Sequence, residues 1–187
     1  MEEKRGASLS AVSRERLEFL FDGIFAIAMT ILVLELKVPE LTDRHSVAEL
    51  WRALAHHAPT FASYLLSFLM LGILWYRHNQ QYRQIEVITR GMLVLHLVEL
   101  AAAAFFPFCA ALLGRYPTNR LSAVFYTGCI FVYLWSAFVV WALGGHSGAF
   151  RSDFTAADYR QARTRALRRC VVVSLLFALC LYGALAT

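Results

Sequence analysis

A few side chains in this sequence stand where their chemistry has consequences. Asp22 lies in R-L-E-F-L-F-D-G-I-F-A-I-A-M-T-I-L-V-L-E-L-K-V-P, residues 16–39, a stretch uncharged from Gly23 to Leu34. A carboxylate in an apolar segment of membrane length is costly and marks a partner or a function. His96 and Glu99 are three residues apart, so on a helix they share a face. They can pair, removing a lone charge from lipid, or form part of a proton relay. Trp75 and His78 are also one turn apart, placed either as an interfacial anchor or as hydrogen-bonding partners of Asp22. His56 and His57 are adjacent and point to different helix faces, which argues against a shared metal ion.

The other reactive residues carry less. Cys109, Cys129, Cys170 and Cys180 all fall inside apolar runs without metal-ligand spacing. Such thiols behave as small hydrophobes, and no structural disulfide, metal site or cofactor is expected. There is no Gly-rich phosphate loop, nucleophile elbow or H-E-x-x-H pair. Ser63, Ser67, Ser136 and Ser174 have no His or Lys base at obvious helical spacing, so the sequence does not read as an enzyme.

The elements that position these residues follow from composition. Of 187 residues, 59% are hydrophobic and 17% charged, where a soluble domain is nearer half apolar and a quarter charged. Ala53 to Tyr76, Leu121 to Phe150 and Cys170 to Thr187 contain no Asp, Glu, Lys or Arg, and about 20 such residues span a bilayer. These runs lack the polar faces of a soluble bundle. The expectation is an all-α, polytopic transmembrane bundle in one domain over 1–187, with helices near 17–37, 59–78, 91–114, 119–143 and 167–187. Residues 1–13 read as a short polar tail. A cleavable signal peptide is disfavoured by Asp22 and by the Glu-Leu-Lys-Val-Pro exit.

Between the first two spans, Val47, Leu50, Trp51 and Leu54 recur at helical spacing, and Ser46 with Glu49 is a capping-box signature. This predicts a short amphipathic outer helix over 46–56, lying at the lipid interface. Pro107 predicts a kink in the third span, and Thr118 or Asn119 caps the fourth. That fourth span is uncharged and aromatic-rich, as a lipid-facing helix is. Gly144-Gly-His-Ser-Gly148 is expected to break it. The arginines from Arg160 to Arg169 read as a helical extension meeting lipid phosphates.

The net charge of +5 reflects topology and does not suggest nucleic acid. With these spans, 13 basic residues fall on the side of the N-terminus and 5 on the other. Arg16, Arg77, Arg83, Arg151 and the arginines from 160 to 169 are on the richer side. The positive-inside rule puts that side in the cytoplasm, which predicts a multi-pass plasma-membrane protein with a cytoplasmic N-terminus.

At 100° per residue, Ile27, Ile31 and Leu34 lie within about 60° of one another. Leu20 and Gly23 extend the stripe and Thr30 edges it. Asp22 lies about 140° from Ile27, so a stripe facing a central axis turns the aspartate toward neighbouring helices. Periodicity alone reads equally well as a buried core stripe.

Arg16, Asp22, Gly23, Ala26, Ile27, Thr30 and Leu34 match the first-helix signature of the transmembrane protein 175 family, R-x-x-x-F-S-D followed by an aliphatic run with a Thr. The Y-L-L-S-F and W-x-x-H elements at Tyr64 to Phe68 and Trp75 to His78, and Pro107 with Phe108, also resemble it. The chain departs from the pattern at Leu20-Phe21, where the family has Phe-Ser, and at His96, where it usually has Asn. Bacterial members have six transmembrane helices, against five visible here.

The resemblance implies a homotetramer with the first helix of each subunit around the axis. Ile27 would form the tightest ring, with Ile31 and Leu34 above it and Thr30 and Gly23 flanking. Arg16, Asp22, Trp75 and His78 would hold that helix to its neighbours. It implies a potassium-permeable, leak-like channel, with lipids as the other partners and the permeant ion as its only ligand. The alternatives are a proton-coupled transporter using Asp22, His96 and Glu99, and a non-conducting membrane scaffold.

Overall fold

Leu17, Phe21, Phe25, Ala28 and Leu32 recur every three or four residues and are all buried. They form the inward face of α1 (Arg14–Ile31) and of the turn that follows it; α1 is the first of six α-helices in the computed structural model, which describes residues 14–186. The polar segment 1–13, with Lys4 and Arg5, and Thr187 lie outside the described residues. After α1 come α2 (Val47–His56), α3 (Ala58–Tyr82), α4 (Arg90–Arg115), α5 (Arg120–Ser147) and α6 (Ala156–Leu185). All but α2 are long and apolar enough to cross a membrane, and this is a multi-pass membrane protein.

The central helix is α4. Half of its apolar window is buried, against 17–28% for the other spans. α1 and α3 pack on one side of it and α5 on another, with α6 covering α5. Small and hydroxylated residues let α3 approach α4. Ser63 Oγ donates to the Ala110 carbonyl at 2.7 Å, and a Cβ on Gly114 would lie 3.2 Å from Thr60 Cα. In lipid, where no hydrophobic force draws helices together, such close contacts and hydrogen bonds hold the bundle.

Several boundaries differ from those expected. The first span leaves α-helical geometry after Ile31 and tightens into a 3-10 turn, Leu32–Glu35, closed by Leu36 N–H donating to the Val33 carbonyl. The approach to Pro39 disfavours further helix and leaves last-turn carbonyls to be met by tighter bonds. Because i and i+3 eclipse in a 3-10 turn, Leu34 stacks over Ile31 more directly than the α-helical wheel places it.

The glycines after Leu143 do not break α5, which continues to Ser147 and stops at Gly148, with φ 65° in the left-handed region. Gly144 serves packing instead: a Cβ there would lie 2.7 Å from the Phe150 ring. The aromatics of α5 are likewise not all lipid-facing, since Tyr126, Tyr133 and Trp141 are buried. α6 runs from Ala156 to Leu185, so the arginines from Arg160 to Arg169 do form a helical extension of the last span, and a full Thr155–Asp158 capping box sets where it starts. At Ser46 only half of the expected box forms. Ser46 accepts from Glu49 N–H, but the Glu49 carboxylate turns back to Thr42 and Asp43 N–H at 2.8 and 3.1 Å. Those two bonds hold the carboxyl below the usual carboxylate range.

The segments rich in arginine meet at one end. Ile85 and Phe150 form a β-bridge, joined by Glu86 N–H to the Ala149 carbonyl and Arg151 N–H to the Gln84 carbonyl. Arg14, Glu86, Arg151 and Asp153 line one crevice there. The 2.7 Å approach at Gly144 makes Gly144→Val costly, by about 1–3 kcal/mol of overpacking. In thermal melts of purified protein it is expected to fall clearly below wild type. Gly72→Ala, whose Cβ meets only Met29 Cε at 3.9 Å, should be near neutral.

Candidate functional site

α1 has two faces with opposite fates. Its inward face places Phe21 and Phe25 in the core. Its other face carries Ile27 and Ile31 and continues to Leu34 in the 3-10 turn, exposed by 58%, 41% and 71% respectively. Gly23 and Thr30 are exposed beside them, and the Thr30 hydroxyl donates back to the Ile27 carbonyl at 2.9 Å. Nothing lies within 4 Å of a Cβ built on Gly23. The aliphatic stripe is therefore not the core stripe of this chain; the face containing Phe21 is.

Asp22 is also exposed, and its Oδ1 accepts from Trp75 Nε1 at 2.8 Å, tying α1 to α3. Arg16, on the first turn of α1, is exposed and engaged with a partner. His78 does not join Asp22 in the hydrogen bonding. It turns inward, with Nδ1 3.5 Å from Glu99 Oε2. The physical reason is that Glu99 is 1% exposed and needs donors more than the exposed Asp22 does.

His96 Nδ1 meets the same Glu99 oxygen at 3.2 Å, as the i, i+3 spacing predicts. Phe21 caps the cluster, with its ring stacked on His78 at 3.5 Å between centroids and 12° between planes. The edge of His96 meets Phe21 at 5.5 Å. Tyr82 completes the wall: it contacts both imidazoles, and its hydroxyl donates to the Arg14 carbonyl at 2.7 Å. Sequence reasoning missed Phe21 and Tyr82 as parts of this site. The Leu17, Phe21, Phe25, Ala28, Leu32 spacing was the available signal for Phe21.

His56 is exposed and His57 half-buried beside it, but neither belongs to a group of three potential metal ligands. Among the described residues that grouping consists of His78, His96 and Glu99. The buried thiols donate to carbonyls, Cys129 to Ala102 and Cys170 to Leu134. A separate cavity of about 730 Å³ opens between α3, α5 and α6. It is lined by His78 and Tyr133 at its inner end and by Arg77, Arg165 and Arg169.

Comparison with known proteins matches this arrangement to one family. Residues 16–107 fit the family described as endosomal/lysosomal potassium channel TMEM175. That range holds α1, the Asp22–Trp75 bond and the whole His78–His96–Glu99 cluster. Through residues 16–107 the chain belongs to the TMEM175 family.

Among individual proteins, the chain is 38% identical over 101 residues to a potassium channel of Streptomyces collinus, covering 54% of this chain and 48% of that protein. It is 33% identical over 119 residues to a potassium channel of Chamaesiphon minutus, covering 60% and 57%. The human endosomal/lysosomal proton channel TMEM175 is 30% identical over 135 residues, 68% of this chain and 27% of that protein. The matched region thus spans about half the length of the bacterial relatives and about a quarter of the human one. The crystal structure of a lysosomal potassium-selective channel TMEM175 homologue from Chamaesiphon minutus superposes with a TM-score of 0.64 at 26% identity, covering 92% of this chain and 97% of that one.

Within this TMEM175-family chain, Phe21 closes the buried cluster, so Phe21→Ala is expected to cost about 3–5 kcal/mol of stability. Trp75→Phe removes one hydrogen bond to an exposed carboxylate and should cost no more than about 1 kcal/mol. Thermal melts of the purified proteins should rank the two in that order.

Proposed function

We propose that this chain is a potassium-permeable, leak-like channel in the plasma membrane, assembled as a homotetramer around α1. The observation that carries this reading is the exposed aliphatic stripe of α1, on the helix whose other face is fixed in the core. In the assembly Ile27 forms the narrowest ring, Ile31 and Leu34 sit above it, and Thr30 and Gly23 flank it. One helix cannot enclose a pore, but symmetry-related copies can.

The stripe offers an ion no carbonyl ring and no carboxylate. Passage then depends on how much water the ion sheds, since the aliphatic ring returns little for it. Potassium is held less tightly by water than sodium, so it crosses with the smaller penalty and selectivity is modest. The names of the bacterial relatives and of the solved homologue support potassium as the ion. The clustering of arginine-rich loops at one end supports a cytoplasmic placement of that end and of the N-terminus. In this reading Arg16, Asp22, Trp75 and His78 hold α1 in place and do not touch the ion, the protein has no catalytic role, and it needs no cofactor.

A second reading rests on the buried cluster and on the vertebrate relatives, which are named proton channels. Here His96 and Glu99 would carry protons. Asp22, bonded to Trp75 and exposed, makes no hydrogen bond to either of them.

Ion flux into liposomes separates the two. Ile27→Asn is expected to raise flux and bring the potassium-to-sodium permeability ratio toward about one. Glu99→Gln, whose amide oxygen can still accept from both imidazoles and so keep α1 in place, should leave the ratio unchanged. Unaltered permeation in Ile27→Asn rules out the pore assignment. Loss of pH-driven flux in Glu99→Gln, with Ile27→Asn unchanged, establishes the proton reading instead.

A further inference from the structure

We propose that His78, His96 and Glu99 form a divalent transition-metal site, of the kind that takes Zn²⁺, fastening α3 to α4 behind α1. Three ligands of types suited to zinc converge from two helices, with one ligand atom of each within 4.8 Å of the others. His78 Nδ1 and His96 Nδ1 lie 3.5 and 3.2 Å from Glu99 Oε2. Ligand atoms about 2.0–2.1 Å from a tetrahedral ion are separated by about 3.3 Å, so these two nitrogen-to-oxygen edges are close to those of a coordination tetrahedron.

The hydrogen bonding points the same way. Both imidazoles aim Nδ1 at one oxygen of Glu99, while its other oxygen, Oε1, is buried without a partner. Two donors crowding one oxygen while the second has none is a poor way to satisfy a buried carboxylate. As ligands, the two Nδ1 lone pairs and the carboxylate share one ion, and the carboxylate can engage it through either or both oxygens. Two neutral imidazoles and one carboxylate suit zinc and cobalt, whereas magnesium and calcium prefer oxygen alone.

The pocket is prebuilt. His96 is 0% exposed, Glu99 1% and His78 4%, and Phe21 and Tyr82 pack on the imidazoles and hold their planes. His78 also lines the 730 Å³ cavity, which brings the site within one side chain of solvent. Arg77, Arg165 and Arg169 line the same cavity and will slow cation entry, so equilibrium binding is the proper readout. The sequence reading passed over this site because no two of its residues form a recognised ligand motif. His78 belongs to a different helix from the other two. The site is independent of whether the chain conducts.

The test is a cobalt titration of the intact, chelator-stripped protein in detergent, followed by visible absorption. The expected result is one Co²⁺ per chain with d–d bands of low coordination number, discharged by one equivalent of Zn²⁺. His96→Asn should weaken binding by more than the roughly 10–100-fold seen for second-shell losses, and Glu99→Gln likewise. His56→Ala with His57→Ala should leave it unchanged. Absence of saturable one-per-chain binding, or equal binding by His96→Asn, overturns the proposal. Zinc-edge X-ray absorption of the unmodified protein gives a reading that needs no variant to fold: two imidazoles in the shell support the site, and none or one refutes it.

Discussion

Glu99 sets the terms for the rest of the structure. A carboxylate 1% exposed in the middle of an apolar helix must find donors, because its isolated burial would cost far more than any packing nearby returns. His96 reaches it from one turn away on α4, and His78 reaches it from α3, which fixes how those two helices face each other. The Phe21 ring then lies flat on His78, and that contact fixes the rotation of α1 about its own axis. Once α1 is turned this way, Leu17, Phe25 and Leu32 have to point inward, and Ile27, Ile31 and Leu34 have to point away from the chain. The buried polar cluster and the exposed aliphatic stripe are thus two consequences of one constraint.

Much of this was legible in the sequence. The five spans announced themselves by length and apolarity, and the pairing of His96 with Glu99 followed from three-residue spacing. The sequence left Trp75 and His78 open as an interfacial anchor or as partners of Asp22, and only Trp75 makes that bond. What the sequence left open was which stripe of α1 meets the core, since Ile27, Ile31 and Leu34 are as hydrophobic as Phe21 and Phe25. Hydropathy cannot separate a face buried in protein from one exposed outside it when both surroundings are apolar. The deciding feature is the shape of Phe21 against an imidazole on another helix, and pairings between helices have no sequence spacing to read.

The boundary errors have a common source. Gly144 and Gly145 looked like breakers because glycine lowers helix propensity, yet close packing overrides that preference where a ring must approach the backbone, as Phe150 does at Gly144. The helical extension through Arg160–Arg169 was expected, but its first residue is set by the Thr155–Asp158 capping box, which works wherever backbone donors are exposed. In both places a tertiary or capping interaction decided what composition alone assigned to the bilayer edge. Phe21 and His96 share this logic: the aromatic ring and the imidazole contact each other across α1 and α4, so they act together in this chain.

The central claim is that the buried cluster turns the aliphatic face of α1 toward the symmetry axis of an assembly. A cryo-electron microscopy structure of the protein in lipid nanodiscs tests it most directly. The expected map has four copies, with Ile27 nearest the axis, Ile31 and Leu34 lining the same path, and Phe21 behind them on His78. A map in which Ile27 faces lipid, or in which another helix lines the axis, contradicts it.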